Sequence, residues 1–277
     1  MKGIDKPSDD SQEIETPLTG GGRTAVSRKG QVVFREAGPW VSTVHALLKH
    51  LERIGFPGSP RVVGSGFDSQ GRETLTFIDG EFVHPGPWSE QAFFNIGQLI
   101  RDLHRATASF SVPEKAIWRE WHGRHLGNPS LSIGHCDTGP WNIVSRDGLP
   151  YALIDWEVAG PVDPLTELAQ CCWLNAQLHD DDVAESVGLP SLHDRAHHAR
   201  YILDGYELPN SQRVGFVERM IEFAVHDAAI QAIEGKVTPE SRDATPLWGI
   251  TWRTRSASWM LRRKAILERG IVGRSLP

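Results

Sequence analysis

Two carboxylates and one carboxamide, Asp137, Asp155 and Asn142, lie close together in the central part of the sequence. Asp137 stands five residues before Asn142 and eighteen before Asp155. Their oxygens are the hard ligands that Mg²⁺ requires when it carries a nucleotide polyphosphate. Phosphoryl transfer needs such a metal, a cation near the phosphates, and a carboxylate that orients the acceptor hydroxyl and takes its proton. The pattern therefore indicates phosphoryl transfer, with Asn142 and Asp155 as metal ligands and Asp137 as the catalytic carboxylate.

A short hairpin is predicted to bring these side chains together. Residues 143–145 and 151–155 are predicted as strands, separated by a turn at 146–148. In an antiparallel hairpin the start of one strand lies beside the end of the other, so Asn142 and Asp155 should meet at the open end. Asp and Asn often only cap turns, but the three residues at this spacing favour a catalytic site.

The segments HCDTGPWN at 135–142 and DWE at 155–157 carry a family resemblance. They resemble the H-x-D-x-x-x-x-N catalytic loop and the D-[FW]-[EG] metal loop of the aminoglycoside phosphotransferase and choline kinase family, relatives of protein kinases. The resemblance covers roughly residues 18–180. It implies an α+β, protein-kinase-like fold of two lobes, with a small antiparallel sheet in the N-lobe and a mainly helical C-lobe. It also implies ATP or GTP as co-substrate with Mg²⁺, and a structural role for His135. Glu157 could help hold metal or water, or could form a structural pair.

The stretch LTGGGRTAVSRKGQVVFRE, residues 18–36, resembles the glycine-containing hairpin of the same family. The resemblance implies that the nucleotide phosphates are contacted by Gly20, Gly21, Gly22 and Arg35. Arg35 stands where a phosphate-pairing Lys often occurs, and its planar fork differs from a compact ammonium.

One partner that the resemblance implies is absent from the sequence. A carboxylate on the following helix usually steadies the phosphate-binding cation, but Val44 and His45 occupy the aligned positions. Glu36 is too close to Arg35 in sequence to fill that role. This difference leaves open a protein that binds nucleotide without transferring phosphate.

The stretch LTFIDGEF, residues 75–82, resembles the hinge between the lobes, where Phe77 and Ile78 would meet the nucleotide base. The predicted division is a flexible tail at 1–15, a nucleotide-binding N-lobe at 16–80, and a C-lobe at 81–277 that carries the catalytic loop and the substrate-binding helices.

Hydrophobic periodicity and turn residues predict the remaining elements. Strands are predicted at 24–28, 31–35, 61–66 and 73–78. Helices are predicted at 40–54, at 89–109 with Ser89 as N-cap, at 164–178 with Asp163 as N-cap, at 193–233 with a break near Pro209, and at 244–269.

Composition excludes several classes of protein. The formal net charge of −6 argues against a nucleic-acid partner. No run of about 20 apolar residues is present, so we predict a cytoplasmic protein with no membrane partner. Three cysteines, two of them adjacent in sequence, do not form a disulfide framework and are predicted to pack in the core.

Together these patterns predict an ATP- or GTP- and Mg²⁺-dependent phosphotransferase that acts on a hydroxyl of a small molecule. An aminoglycoside or related antibiotic is one candidate acceptor, which would make the protein an antibiotic-resistance factor. The acidic run HDDDVAES, residues 179–186, could attract a polycation or could be a solvated helix end. The alternatives are a metabolic kinase of an amino alcohol or sugar, and a nucleotide-binding pseudokinase.

Overall fold

The computed structural model describes residues 14–18, 25–128 and 132–272. Residue contacts divide these into two compact units. The first contains the described residues up to Gly38 together with 61–77, and the second contains 39–60 and the described residues from Ile78 onward. Residues 39–60, which the sequence grouped with the N-lobe, pack with the second unit.

The first unit is built on one antiparallel sheet of five strands in the order β1-β2-β3-β5-β4. The strands are β1 (Thr16–Pro17), β2 (Val26–Lys29), β3 (Val32–Arg35), β4 (Val62–Phe67) and β5 (Glu73–Thr76). The predicted hairpins are present, and β1 is an addition that sequence periodicity did not predict because it is only two residues long.

Tight turns fix the register of this sheet. Gly30 follows β2 with a φ of 59°, a conformation that glycine adopts without steric cost. After β4, the carboxylate of Asp68 accepts hydrogen bonds from the backbone N–H groups of Gln70 and Arg72, at 2.9 and 2.8 Å. Such local bonds are the reason that Asp initiates turns.

The second unit is mainly helical. Its helices are α1 (Val41–Arg53), α2 (Glu90–Thr107), α3 (Pro164–Asn175), α4 (Asp181–Ser186), α5 (Leu192–Tyr206), α6 (Asn210–Arg213), α7 (Phe216–Glu234) and α8 (Ala244–Val272). It also contains two antiparallel strand pairs: β6 (Ser132–Gly134) with β9 (Gly160–Val162), and β7 (Ile143–Arg146) with β8 (Leu149–Leu153). The predicted break near Pro209 lies between α5 and α6.

Capping and apolar spacing explain the main helices. Ser89 caps α2 by accepting a hydrogen bond from the Ala92 N–H, and the apolar face of α2, including Phe93, Ile96 and Ile100, is completely or nearly completely buried. Asp163 caps α3 by accepting from the Leu165 N–H at 2.8 Å. Both predicted N-caps are therefore confirmed.

The predicted α+β class, with a small antiparallel sheet and a mainly helical C-terminal region, is confirmed. All three cysteines are buried free thiols, as predicted. Within the described ranges, no helix is both long enough and apolar enough to cross a membrane.

Candidate active site

The hairpin of β7 and β8 brings the two predicted metal ligands to one place. Ile143 pairs with Leu153, and the Ile154 N–H donates to the Asn142 carbonyl at 2.9 Å. Asn142 therefore lies beside the residue that precedes Asp155, at the open end of the hairpin. Asn142 is buried, whereas Asp155 is exposed. The spacing thus predicted the correct juxtaposition of their backbones.

Asp137 is tied to the same end of the hairpin. The carboxamide Nδ2 of Asn142 donates to the Asp137 carbonyl at 3.0 Å. Because this bond uses Nδ2, Oδ1 is the carboxamide atom that would bind a metal. Asp137 itself is partly exposed, as a group that meets an incoming hydroxyl must be.

His135 is the clamp that holds the catalytic loop against the end of β8. Its Nε2 donates to the Ile154 carbonyl at 2.8 Å, and its Nδ1 accepts from the Asp137 N–H at 3.3 Å. Its ring meets the Trp156 ring edge-on, with centroids 4.8 Å apart. Burial lowers the pKa of His135, which keeps the ring neutral, as the accepting Nδ1 requires. These contacts give His135 the structural role that the family resemblance implies.

Asp155 has an unusual backbone conformation. Its φ of 61° and ψ of 65° place it in the left-handed region, which is uncommon for a residue with a side chain. The following residue fixes this turn, since Trp156 is completely buried and its Nε1 donates to the Leu153 carbonyl at 2.8 Å. Strained backbone of this kind is maintained by surrounding packing and is frequent at functional sites.

Glu157 forms an ion pair with Arg119. The sequence left two roles open for Glu157, and this ion pair is the structural one of the two.

Helix α3 supports the catalytic loop through polar side chains that the sequence analysis missed. Glu167 Oε1 accepts from the Cys136 N–H at 2.5 Å, and Glu167 Oε2 bonds with His104 Nε2 at 2.5 Å. Burial alone raises the pKa of Glu167, but the bonds from His104 and Cys136 outweigh it and leave the pKa below its ordinary value. Cys136, which has a φ of 68°, is thereby fixed directly before Asp137.

Two more side chains of α3 bind Thr138, the residue that follows Asp137 in the loop. Gln170 Oε1 accepts from both the N–H and the hydroxyl of Thr138, at 3.2 and 3.1 Å. Asn175 Nδ2 donates to the Thr138 carbonyl at 2.8 Å. The signal in the sequence was a set of polar residues within a helix that is otherwise apolar and buried, since such residues need internal partners.

The later part of the predicted hinge stretch is bound to the same hairpin. Glu81 and Ser145 exchange backbone hydrogen bonds at 2.9 and 2.8 Å. Gly80 lies so close that an added Cβ would stand 2.4 Å from the Ser145 carbonyl oxygen, so only glycine fits.

The predicted hinge residues themselves lie at a boundary, because the chain passes from the first unit to the second between Phe77 and Ile78. The Phe77 ring is covered by the Arg28 guanidinium, whose carbon lies 3.5 Å from the ring centroid. Contact of Phe77 and Ile78 with a nucleotide base stays a prediction.

In the first unit, Arg35 has a carboxylate partner that the sequence analysis did not find. Arg35 Nε donates to Glu73 Oε2, and the two residues are directly opposite in the pairing of β3 with β5. Both side chains are buried, with exposed fractions of 9% and 0%. The predicted phosphate-binding residues Gly20, Gly21 and Gly22 lie outside the described residues.

The acidic run at 179–186 is engaged by α8. Asp180 accepts from Arg255 at 2.7 and 2.9 Å, and Asp182 accepts from the same guanidinium at 2.6 Å. Asp181 accepts from Trp259 Nε1 at 2.7 Å. These carboxylates therefore have internal cationic and polar partners, which reduces their attraction for a polycationic ligand.

Among the described residues, no three His, Cys, Asp or Glu side chains come together in a metal-binding arrangement. The predicted site offers one carboxylate and one carboxamide, so a bound Mg²⁺ would take its remaining ligands from phosphate oxygens and water. Oxygen donors of this kind suit Mg²⁺, which binds through one or two carboxylates plus substrate phosphates.

Comparison with known proteins places the chain among phosphotransferases. Residues 110–188 match the phosphotransferase enzyme family. The trifolitoxin immunity protein of Rhizobium leguminosarum bv. trifolii is 65% identical over 258 residues, which cover 93% of this chain and 99% of that protein.

Solved structures share the fold at low sequence identity. A choline/ethanolamine kinase family protein from Mesorhizobium loti is 16% identical with a TM-score of 0.59, covering 96% of this chain and 95% of its own. An amicoumacin kinase, solved in complex with AMP-PNP, Ca²⁺ and Ami, is 12% identical with a TM-score of 0.66, covering 90% of this chain and 89% of its own. The kinase-like fold, the catalytic-loop motif and the close relative agree, and the chain belongs to the phosphotransferase enzyme family, whose members act on small molecules.

Proposed function

We propose that this phosphotransferase moves the terminal phosphate of ATP or GTP onto a hydroxyl of a toxin or antibiotic and so protects the cell that makes the enzyme. The observation that carries the chemistry is the pair of hydrogen bonds that Asn142 makes to the Asp137 carbonyl and to the Ile154 N–H. They join the backbone of Asp137 and the residue before Asp155 to Asn142 at the open end of the hairpin, and so support the proposed roles of these three residues. The proposed acceptor class is supported by the relative that is named as an immunity protein.

In the proposed reaction, Asp137 orients the acceptor hydroxyl and takes its proton as the new oxygen–phosphorus bond forms. The bond between the terminal phosphorus and the bridging oxygen breaks, and its electron pair leaves on the nucleoside diphosphate. Asn142 and Asp155 would hold Mg²⁺, which neutralises charge on the phosphates. In the first unit, Arg35 and the glycines at 20–22 are the proposed phosphate contacts.

A nucleotide-binding pseudokinase is less well supported. The sequence left it open because the expected helix carboxylate was absent, yet Arg35 is paired with Glu73. A polycationic aminoglycoside is also a weaker candidate acceptor, because Asp180 and Asp182 are bound to Arg255. A metabolic kinase acting on an amino alcohol or sugar is the remaining alternative, and a panel of acceptors separates it from a toxin kinase.

The test is phosphate transfer in vitro together with protection of cells. Purified protein with Mg²⁺ and γ-labelled ATP or GTP is incubated with trifolitoxin, an aminoglycoside, choline and ethanolamine, and labelled product is identified by mass spectrometry. Toxin-sensitive bacteria expressing either the wild-type chain or Asp137→Asn are then exposed to trifolitoxin. We expect labelled toxin and protection by the wild type alone.

Equal protection by both variants would show that the protein acts without phosphoryl transfer. Labelled choline or ethanolamine with no labelled toxin would replace the proposal with the metabolic alternative.

A further inference from the structure

The buried ion pair of the first unit joins two neighbouring strands. Arg35 ends β3 and Glu73 begins β5, and the strand register places them directly opposite each other. Opposite residues in an antiparallel pair have Cβ atoms about 5 Å apart, which allows a short, well-defined contact. Glu73 has no exposed surface, and a charge so deeply buried is tolerated only with a partner of opposite sign.

Helix α1 does not offer an alternative carboxylate at the expected position. Its single acidic residue is Glu52, which is exposed and lies in the last turn. Val44 and His45, which occupy the expected position, are both buried. The carboxylate that a phosphate-binding cation requires is therefore supplied within the sheet itself.

The chemistry of arginine fits a partner on a strand. Glu73 binds Arg35 at Nε, the nitrogen nearest the backbone, and a guanidinium carries four further N–H donors beyond it. A lysine has its donors only at the terminal ammonium, so a carboxylate in this position would compete with phosphate for them. Two differences from the family pattern are therefore linked: the carboxylate stands on a strand and not on the helix, and the cation is arginine and not lysine.

A cavity of about 550 Å³ in the first unit is lined by Arg35 together with Val26 and Ser27, the first residues of β2, and Phe34. Arg35, which Glu73 binds at Nε, therefore belongs to the wall of a space large enough for a phosphate group.

We propose that Glu73 is the positioning residue that holds Arg35 for binding the nucleotide phosphates, in place of a helix glutamate; this rests on the proposed function. Glu73 does not touch the nucleotide. It fixes the plane of the Arg35 guanidinium before nucleotide binds, so that less conformational entropy is lost on binding.

The experiment compares ligands with and without phosphates. Dissociation constants of Mg·ATP, Mg·ADP and adenosine are measured by calorimetry for the wild type, Glu73→Gln and Arg35→Lys. Glu73→Gln should weaken Mg·ATP about tenfold, the range of one charge-assisted hydrogen bond, and leave adenosine within about twofold of wild type. A purely structural role would weaken all three ligands together.

Arg35→Lys keeps a cation beside Glu73, so the variant should fold, but it replaces the planar guanidinium with a compact ammonium. It should also weaken Mg·ATP about tenfold, because the ammonium is held by Glu73. The matched control is Glu218→Gln, which makes the same chemical change in an ion pair of the second unit, that with Lys264. The control should bind all three ligands as the wild type does, and melting temperatures check that each variant is folded.

Wild type that binds none of the nucleotides would overturn the proposed function. Wild type that binds Mg·ATP more tightly than adenosine, with Glu73→Gln unchanged, would overturn the positioning role alone. If Glu73→Gln fails to fold, the Arg35→Lys variant provides the test. An Arg35→Lys variant that binds Mg·ATP as tightly as the wild type would contradict the proposal that a strand carboxylate requires arginine at this position.

Discussion

A completely buried glutamate occurs in each unit of the molecule, and the two differ in what the carboxylate holds. Glu73 of the first unit binds a cationic side chain, Arg35. Glu167 of the second unit binds a backbone N–H, that of Cys136, and an imidazole, that of His104. Loss of Glu73 should therefore act mainly on phosphate binding, whereas loss of Glu167 should distort the loop that carries Asp137. Buried carboxylates with the same exposure can thus serve binding in one place and loop geometry in another.

The largest expected effect concerns the residue that Glu167 helps to place. Asp137→Asn keeps the size of the side chain but removes the proton acceptor, so turnover should fall about 10³-fold. The dissociation constant of Mg·ATP should change less than about twofold, because Asp137 is proposed to meet the acceptor and not the nucleotide. Steady-state kinetics and calorimetry on the same preparation measure both. A loss of nucleotide affinity as large as the loss of turnover would instead assign Asp137 to nucleotide binding.

The second effect is on stability. Glu167→Ala leaves the Cys136 N–H and His104 without their buried acceptor, and should lower the free energy of unfolding by about 3 kcal/mol. Urea denaturation at neutral pH measures the loss. Glu167→Ala should lose turnover as well, because the loop shifts. If Glu167→Ala were as stable as the wild type, α3 would not be what holds the catalytic loop.

The third effect is a dependence of stability on pH. The folded state holds the pKa of Glu167 below the ordinary value of 4.5, so folding favours the ionised carboxylate. This contribution is complete above pH 4.5 and is lost as the pH falls through 4.5 toward the lower folded value. The free energy of unfolding of Glu167→Gln should therefore decrease less steeply below pH 4.5 than that of the wild type. Parallel curves for the two proteins would contradict the assigned shift.

The same contrast explains what the sequence could and could not predict. The juxtaposition of the Asn142 and Asp155 backbones could be predicted because local spacing determines a hairpin in which Ile143 pairs with Leu153 across a tight turn. The Arg35–Glu73 pair joins residues 38 apart. This pair depends on the register between β3 and β5. A shift of one residue would move the side chains of one strand to the other face of the sheet, and sequence alone does not fix that register.

Glu167 was missed for a related reason. Its bond to Cys136 spans 31 residues and depends on how α3 packs against the loop. The polar pattern of Glu167, Gln170 and Asn175 within a buried helix could have marked α3 as a support. It could not have shown which backbone group each side chain meets, because that is set by tertiary packing.

The smallest predicted effect concerns the start of the helix that carries Glu167. Asp163 caps α3 through Oδ1, and its Oδ2 accepts from the Asn128 N–H at 2.8 Å. Asp163→Ala should therefore lower the free energy of unfolding by about 1–2 kcal/mol, more than Ser89→Ala, which removes only the single cap bond of α2. Because the substitution keeps the Asp163 backbone carbonyl, which accepts from the Glu167 N–H at 3.1 Å, turnover of Asp163→Ala should stay within about threefold of wild type. Thermal denaturation of the two variants and their steady-state rates provide the check. A large loss of turnover with little loss of stability would mean that Asp163, and not Glu167, is the side chain through which α3 controls the catalytic loop.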